Sequence, residues 1–263
     1  MVKNAPDPNS PITEQELNEY AEKYTHFSLE MNVAKQLSQL GFKTFHSGTY
    51  EDPVTKKRRE FDIRAIKLKN ECYLHLSVEC KNISASSPIL VQSVQRNETE
   101  AFHDILEIKG TDSINILTMR GKDSFYSSKP DSWVSKSVDQ IARKGINISG
   151  NDEKTFEKIS QAIHSSAEVI CDATPGEDIL GRRYLFLPIL VIPDETLWEI
   201  IYDIDGTILS KVKKIKSASH FLHSSWINKF SGTQYTFSHL EIVTFSEISN
   251  FLKKIKSSHF GFK

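Results

Sequence analysis

The chain has 263 residues, 25% of them charged and 38% hydrophobic, with a formal net charge of −1. This is an ordinary composition for one folded domain, and no stretch approaches the about eighteen apolar residues of a membrane-spanning helix. Residues 1–13 are polar and Pro-rich, unlike a secretory leader, and Cys72, Cys80 and Cys171 show no C-x-x-C spacing, which excludes a zinc ribbon and suits a reducing cytoplasm.

In chain order, Thr13 and Glu16 form a capping box before a helix carrying Leu17, Tyr20, Ala21 and Tyr24. Segment 27–42 reads as a second helix. Leu29, Val33, Leu37 and Leu40 make its apolar stripe, Ser28 its N-cap and Gly41 its stop. Strands are expected over 43–50, 59–68 and 72–82. A turn containing Pro53 separates the first two, and a polar turn at Lys69 and Asn70 the last two. Ser-rich residues 83–96 hold an apolar run at Ile89 to Val91. A short helix is expected over 97–108 and a strand over 114–119. Residues 120–150 are basic and Ser-rich, and Phe125, Tyr126 and Trp133 follow no period. Such aromatics either stack on bases or pack a surface subdomain.

A long helix is predicted from Asn151, its cap, to Asp172, with Phe156, Ile159, Ile163, Ala167 and Ile170 in register. Tyr184 to Ile192 is almost continuously apolar, as in a strand covered on both faces. A hairpin of 197–203 and 207–212, a strand at 240–245 and a helix at 246–256 capped by Ser246 complete the chain. The expected fold class is α/β, a central mixed sheet flanked by helices. It forms a single domain with a core of 14–82 and 151–257, and 83–150 as an insertion or subdomain.

The alternation of the second and third strands carries the chemistry. Glu60, Asp62 and Arg64 share one face of the former; Tyr73, His75, Ser77, Glu79 and Lys81 share one face of the latter. Adjacent pairing brings Asp62, Glu79 and Lys81 to a common face, where two carboxylates and an ammonium suit a divalent cation and a phosphate. Mg²⁺ is commonly held by one or two carboxylates together with water and substrate phosphate. The backbone carbonyl of Cys80 offers a further oxygen. Metal-bound water is acidified, and Lys81 has the reach to orient it and to steady a pentavalent transition state.

The segments Arg59-Glu60-Phe61-Asp62-Ile63-Arg64-Ala65 and Ser77-Val78-Glu79-Cys80-Lys81 resemble the PD-(D/E)xK nuclease superfamily. The order of a helix with Glu30, a strand, a strand with Asp62, and a strand with Glu79 and Lys81 matches that family's core order over residues 14–82. Phe61 stands where many members have Pro. The resemblance implies a restriction-endonuclease-like fold and a metal-dependent nuclease. Asp62 and Glu79 would bind Mg²⁺, with Mn²⁺ as the alternative. Lys81 would be catalytic, and Glu30 a further metal or orienting ligand. It further implies DNA rather than RNA as substrate, and a homodimer as one arrangement, for which the sequence marks no interface. A binding module that keeps the fold without turnover is the rival from another class.

A second motif, Asp203-Ile204-Asp205-Gly206-Thr207, resembles motif I of haloacid dehalogenase-like phosphatases. That chemistry needs further downstream acids, and no Asp follows Asp205. A β-hairpin with an Asp-Gly turn fits better. Lys211, Lys213, Lys214 and Lys216 form a basic run that either holds phosphates or is a solvated edge.

Overall fold

The computed structural model describes residues 10–23, 26–69, 72–109, 113–150, 153–175 and 182–255. Helices α1 (Glu14–Lys23) and α2 (Phe27–Gln39) precede strands β1 (Lys43–Glu51), β2 (Arg58–Lys69) and β3 (Cys72–Cys80). Strands β4 (Ile89–Gln95), β5 (Phe102–Lys109), β6 (Ser113–Arg120), β7 (Trp133–Lys144) and β8 (Asn147–Gly150) follow, then helix α3 (Glu153–Cys171). The chain continues through β9 (Arg183–Ile192), β10 (Leu197–Ile201), β11 (Lys213–Lys214), β12 (Ser217–Ile227), β13 (Gln234–Thr244) and helix α4 (Ile248–Lys254).

These strands form one mixed sheet in the order β1-β2-β3-β9-β13-β12-β7-β4-β10-β11, with β5 joined to β9 and β6, and β8 to β7. Residues 83–150 therefore add five strands to the same sheet. Pairing of β1 with β2 and of β2 with β3 is antiparallel; β3 and β9 run parallel. Alternation sorts β2, β3 and β9 between two cores. Ile63, Ala65, Leu74, Leu76, Val78, Cys80, Leu185, Leu187, Ile189 and Val191 face α2 and α4. On the other side Phe186, Leu190 and Ile192 meet Ile159, Ala162, Ile163, Ala167 and Ile170 of α3. The apolar run in β9 is thus a strand buried on both faces.

β9 is also where the sheet forks. Near its start it pairs with β5, at Tyr184 and Arg183, and near its end with β13, from Ile189 to Ile192. Pro188 lies between the two stretches, so the N–H it lacks is not missed by either ladder. The Tyr235 hydroxyl spans the fork. It accepts from Phe186 N–H (3.4 Å) and donates to the Asp104 carbonyl (2.8 Å).

Helix ends follow local chemistry. Thr13 and Glu16 make the reciprocal cap, through Thr13 N–H to Glu16 Oε2 (2.8 Å) and Glu16 N–H to Thr13 Oγ1 (3.3 Å). α2 stops at Gly41, whose φ of 81° is left-handed. Phe42 N–H reaches back to the Leu37 carbonyl and Gly41 N–H to that of Ser38, both parts of a Schellman motif.

Several expectations are corrected. α2 starts one residue before Ser28, with His26 at the N-cap position, and the His26 ring instead accepts the Asn82 N–H (2.9 Å). Segment 102–109 is strand, not helix. Phe102, Ile105 and Leu106 have helical spacing, but only because both faces of β5 are buried. Phe156 is 68% exposed and outside the α3 packing stripe. β12, with its serines and histidines, has no sequence counterpart in the expectations. Ser246 lies in a 3₁₀ turn, and Glu247 takes the cap position of α4. Segment 207–212 contributes a single bridge, Tyr202 to Ile208, rather than a strand. Asn70, Asn151 and Lys256 lie outside the described residues.

Among the described residues no helix is long and apolar enough to cross a membrane.

Gly48 of β1 pairs with Phe61, the residue before Asp62. A Cβ there would lie 2.3 Å from the Phe61 ring, so Gly48→Ala is expected to destabilise by about 1–3 kcal/mol. Urea unfolding checks this; an unchanged midpoint would show that the ring moves aside freely.

Candidate active site

The site is built on the α3 face of β2 and β3. Ile63 pairs with Val78 and Arg64 with Ser77; one step further along the same register sets Asp62 opposite Glu79. Alternation then turns both carboxylates, and Lys81, to the side covered by α3.

α3 is fastened over this face by polar contacts. Arg64 Nη2 donates to Glu168 Oε2 (2.7 Å) and to the Ser165 carbonyl (2.8 Å), and Ser166 Oγ donates to Ser77 Oγ (2.7 Å). His164 Nδ1 meets Asp52 Oδ2 (2.9 Å), which ties α3 to the β1–β2 turn. Two turns before Ser165, Lys158 reaches down into the sheet. Its Nζ donates to Asp62 Oδ2 (3.0 Å), Asp62 Oδ1 (3.2 Å) and Glu79 Oε2 (2.9 Å). The two carboxylates therefore converge on one cationic nitrogen.

The backbone completes their shell. Cys80 N–H donates to Asp62 Oδ2 (2.7 Å) and Asp62 N–H to Glu79 Oε1 (3.4 Å). Cys80 thus contributes an N–H to Asp62; its side chain lies in the α2 core. Lys81 follows Glu79 by two residues on the same face. It is 6% exposed, and its Nζ donates to Thr155 Oγ1 (3.0 Å), one helical turn before Lys158.

Burial sets the electrostatics. The side chains of Asp62, Glu79 and Lys158 are 13%, 1% and 24% exposed. Burial pushes the Glu79 carboxyl up to about 8; the Asp62 charge acts in the same direction and Lys158 opposes both. Lys158 itself is raised, because Glu79 and Asp62 outweigh the burial that works against its charge. Lys158 alone thus leaves Glu79 with its proton; once both acids ionise, the pair carries one negative charge more than the Lys158 ammonium balances. A divalent cation fits that deficit, and two carboxylates are the protein share that Mg²⁺ commonly takes. Among the described residues no set of three or more His, Cys, Asp or Glu side chains is arranged to hold a metal.

Glu30 is not brought to this pair. It stays on the α2 side and meets His46 Nε2 at 3.0 Å. Of the basic run, Lys213 pairs with Glu199 (3.3 Å) and Lys214 with Glu195 (2.7 Å), while Lys211 and Lys216 are exposed. β11, which carries Lys213 and Lys214, ends the sheet at the edge opposite β1. Asp203 and Asp205 sit on an exposed turn. Gly206 has a φ of 90°, and Thr207 N–H caps Asp205 Oδ1 (2.8 Å). Tyr126 is packing rather than a stacking platform. It is buried against His239 with ring centroids 3.7 Å apart and donates to Glu241 Oε1 (2.7 Å).

Lys158 and Thr155 were missed by sequence reasoning, since a lysine at a stripe edge reads as solvated. The available signal is indirect: Thr155, Ser165 and Ser166 are fully buried on α3, and small polar residues on a packing face mark polar ground beneath. Comparison of the chain with protein-family models, curated proteins and solved structures gives no match.

The raised Glu79 pKa has a sign. In the fold Glu79 keeps its proton up to about 8, against 4.5 for the ordinary carboxyl. The folded state therefore binds more protons than the unfolded state across that window, and stability falls as pH rises through it. Glu79→Gln cannot ionise. Thermal unfolding in EDTA is expected to show wild type losing Tm relative to Glu79→Gln from pH 5 to pH 8; parallel profiles would contradict the assignment.

Proposed function

We propose that this chain is a metal-dependent nuclease of restriction-endonuclease-like fold that hydrolyses phosphodiester bonds, with DNA as substrate. One observation carries the reading: Asp62 and Glu79, on adjacent antiparallel strands, converge on a single cation position. The order α2, β1, β2, β3, with the acids on the second and third strands, supports the family resemblance in the sequence.

In this reading Asp62 and Glu79 hold Mg²⁺ or Mn²⁺. When bound, the metal supplies an acidified water and neutralises charge on phosphoryl oxygens. The chain's own groups do the rest. Cys80 N–H fixes Asp62 Oδ2 and Asp62 N–H fixes Glu79 Oε1, so both carboxylates are aimed before any ligand arrives. Lys81, held by Thr155, adds fixed positive charge next to the scissile phosphate and favours the charge-rich transition state. Glu30 acts at most through His46, outside the metal's ligands.

A second reading, a nuclease-fold binding subunit without turnover, draws on Lys158, whose ammonium already bridges both acids. The Asp203–Asp205 turn gives a phosphatase no enclosure: residues 203–209 are all exposed.

The test is supercoiled plasmid with Mg²⁺, with and without EDTA. Asp62→Asn and Lys81→Ala are expected to lower cleavage by about 10²-fold or more, and Asp203→Asn to leave it unchanged. EDTA-resistant cleavage, or phosphate-ester turnover dependent on Asp203, would overturn the proposal. A protein that binds DNA and never cuts it would select the second reading.

A further inference from the structure

We infer that Lys158 is a built-in occupant of the cation position, one that a divalent metal must displace before it can bind. The inference rests on the metal reading of Asp62 and Glu79 and concerns how that site is filled.

Lys158 Nζ has three hydrogens to donate, and it makes three contacts, two to Asp62 and one to Glu79. With the backbone bonds from Cys80 N–H and Asp62 N–H, all four carboxylate oxygens are engaged. Every carboxylate oxygen thus already accepts a hydrogen bond, and the ammonium occupies the space between the two acids, so a metal held by both has to displace it. Nor can the two cations share the pair, because like charges about 3 Å apart in a shielded site repel strongly.

Displacement is mechanically simple. Lys158 is 24% exposed on a flexible four-carbon stem, whereas Glu79 is 1% exposed and fixed in the sheet. α3 is held to β2 and β3 further along, through Arg64 with Ser165 and Glu168, and Ser166 with Ser77. The exchange thus needs a side-chain rotation and not a shift of the helix. It leaves the ammonium at the mouth of the site, where a phosphodiester anion can hold it. Lys81 is less exposed, at 6%, and its Nζ donates to Thr155 Oγ1.

The experiment is isothermal titration of Mn²⁺ into wild-type protein and into Lys158→Met, Lys158→Gln and Lys158→Arg, with melting curves in EDTA and in Mn²⁺. The Gln variant keeps a donor for the carboxylates and serves if the Met variant fails to fold. Mn²⁺ is expected to bind the Met and Gln variants at least about tenfold more tightly than wild type, and to raise their melting temperatures correspondingly more. Lys158→Arg, which retains the charge, should stay close to wild type. Adding Glu79→Gln to either neutral variant should remove the gain. Equal affinity in wild type and both neutral variants would refute the displacement while leaving the metal site standing. No binding to any of them would refute both the displacement and the metal reading.

Discussion

Two acidic side chains set side by side on buried neighbouring strands can both ionise only with positive charge between them, and much of this structure follows from that constraint. Asp62 and Glu79 sit where ladder geometry forces them together. Leaving either charge buried and unpaired is strongly destabilising. α3 brings Lys158 to the gap, and the serines, arginine and histidine that fasten α3 keep it there. The polar character of the α3 face, odd for a helix covering a sheet, is a consequence of what it covers.

How much of this was legible depended on periodicity. β2 and β3 are readable because their two faces differ in kind: Ile63, Ala65, Leu74, Leu76 and Val78 go to one core while Asp62, Arg64, Ser77 and Glu79 go to the other side. The register that opposes Asp62 to Glu79 follows from that alternation. β5 was misread for the converse reason, since burial on both faces removes alternation. β12 is half-buried almost throughout and carries little pattern. Glu30 meets His46 and not the acid pair because α2 covers the sheet face opposite the carboxylates, and a helix's own stripe does not say which face of a sheet it will cover. Lys158 was beyond reach because its role depends on which strand its helix crosses.

The forked sheet bears on the site as well. β3 and β9 pair without interruption from Cys72–Arg183 to Cys80–Val191, whereas the far side of β9 is divided between β5 and β13. The fork and Pro188 thus lie on the side of β9 away from Glu79, while β3, which carries Glu79, is paired with β9 along its whole length.

The sequence distance between the charges has a consequence for folding. Lys158 lies 96 residues after Asp62 and 79 after Glu79. A nascent chain therefore completes the β2–β3 hairpin, acids and all, well before their counterion is synthesised. Loops of that length close slowly compared with hairpins. Until α3 arrives the hairpin must keep its acids hydrated, so the site-bearing face is the one that dries last.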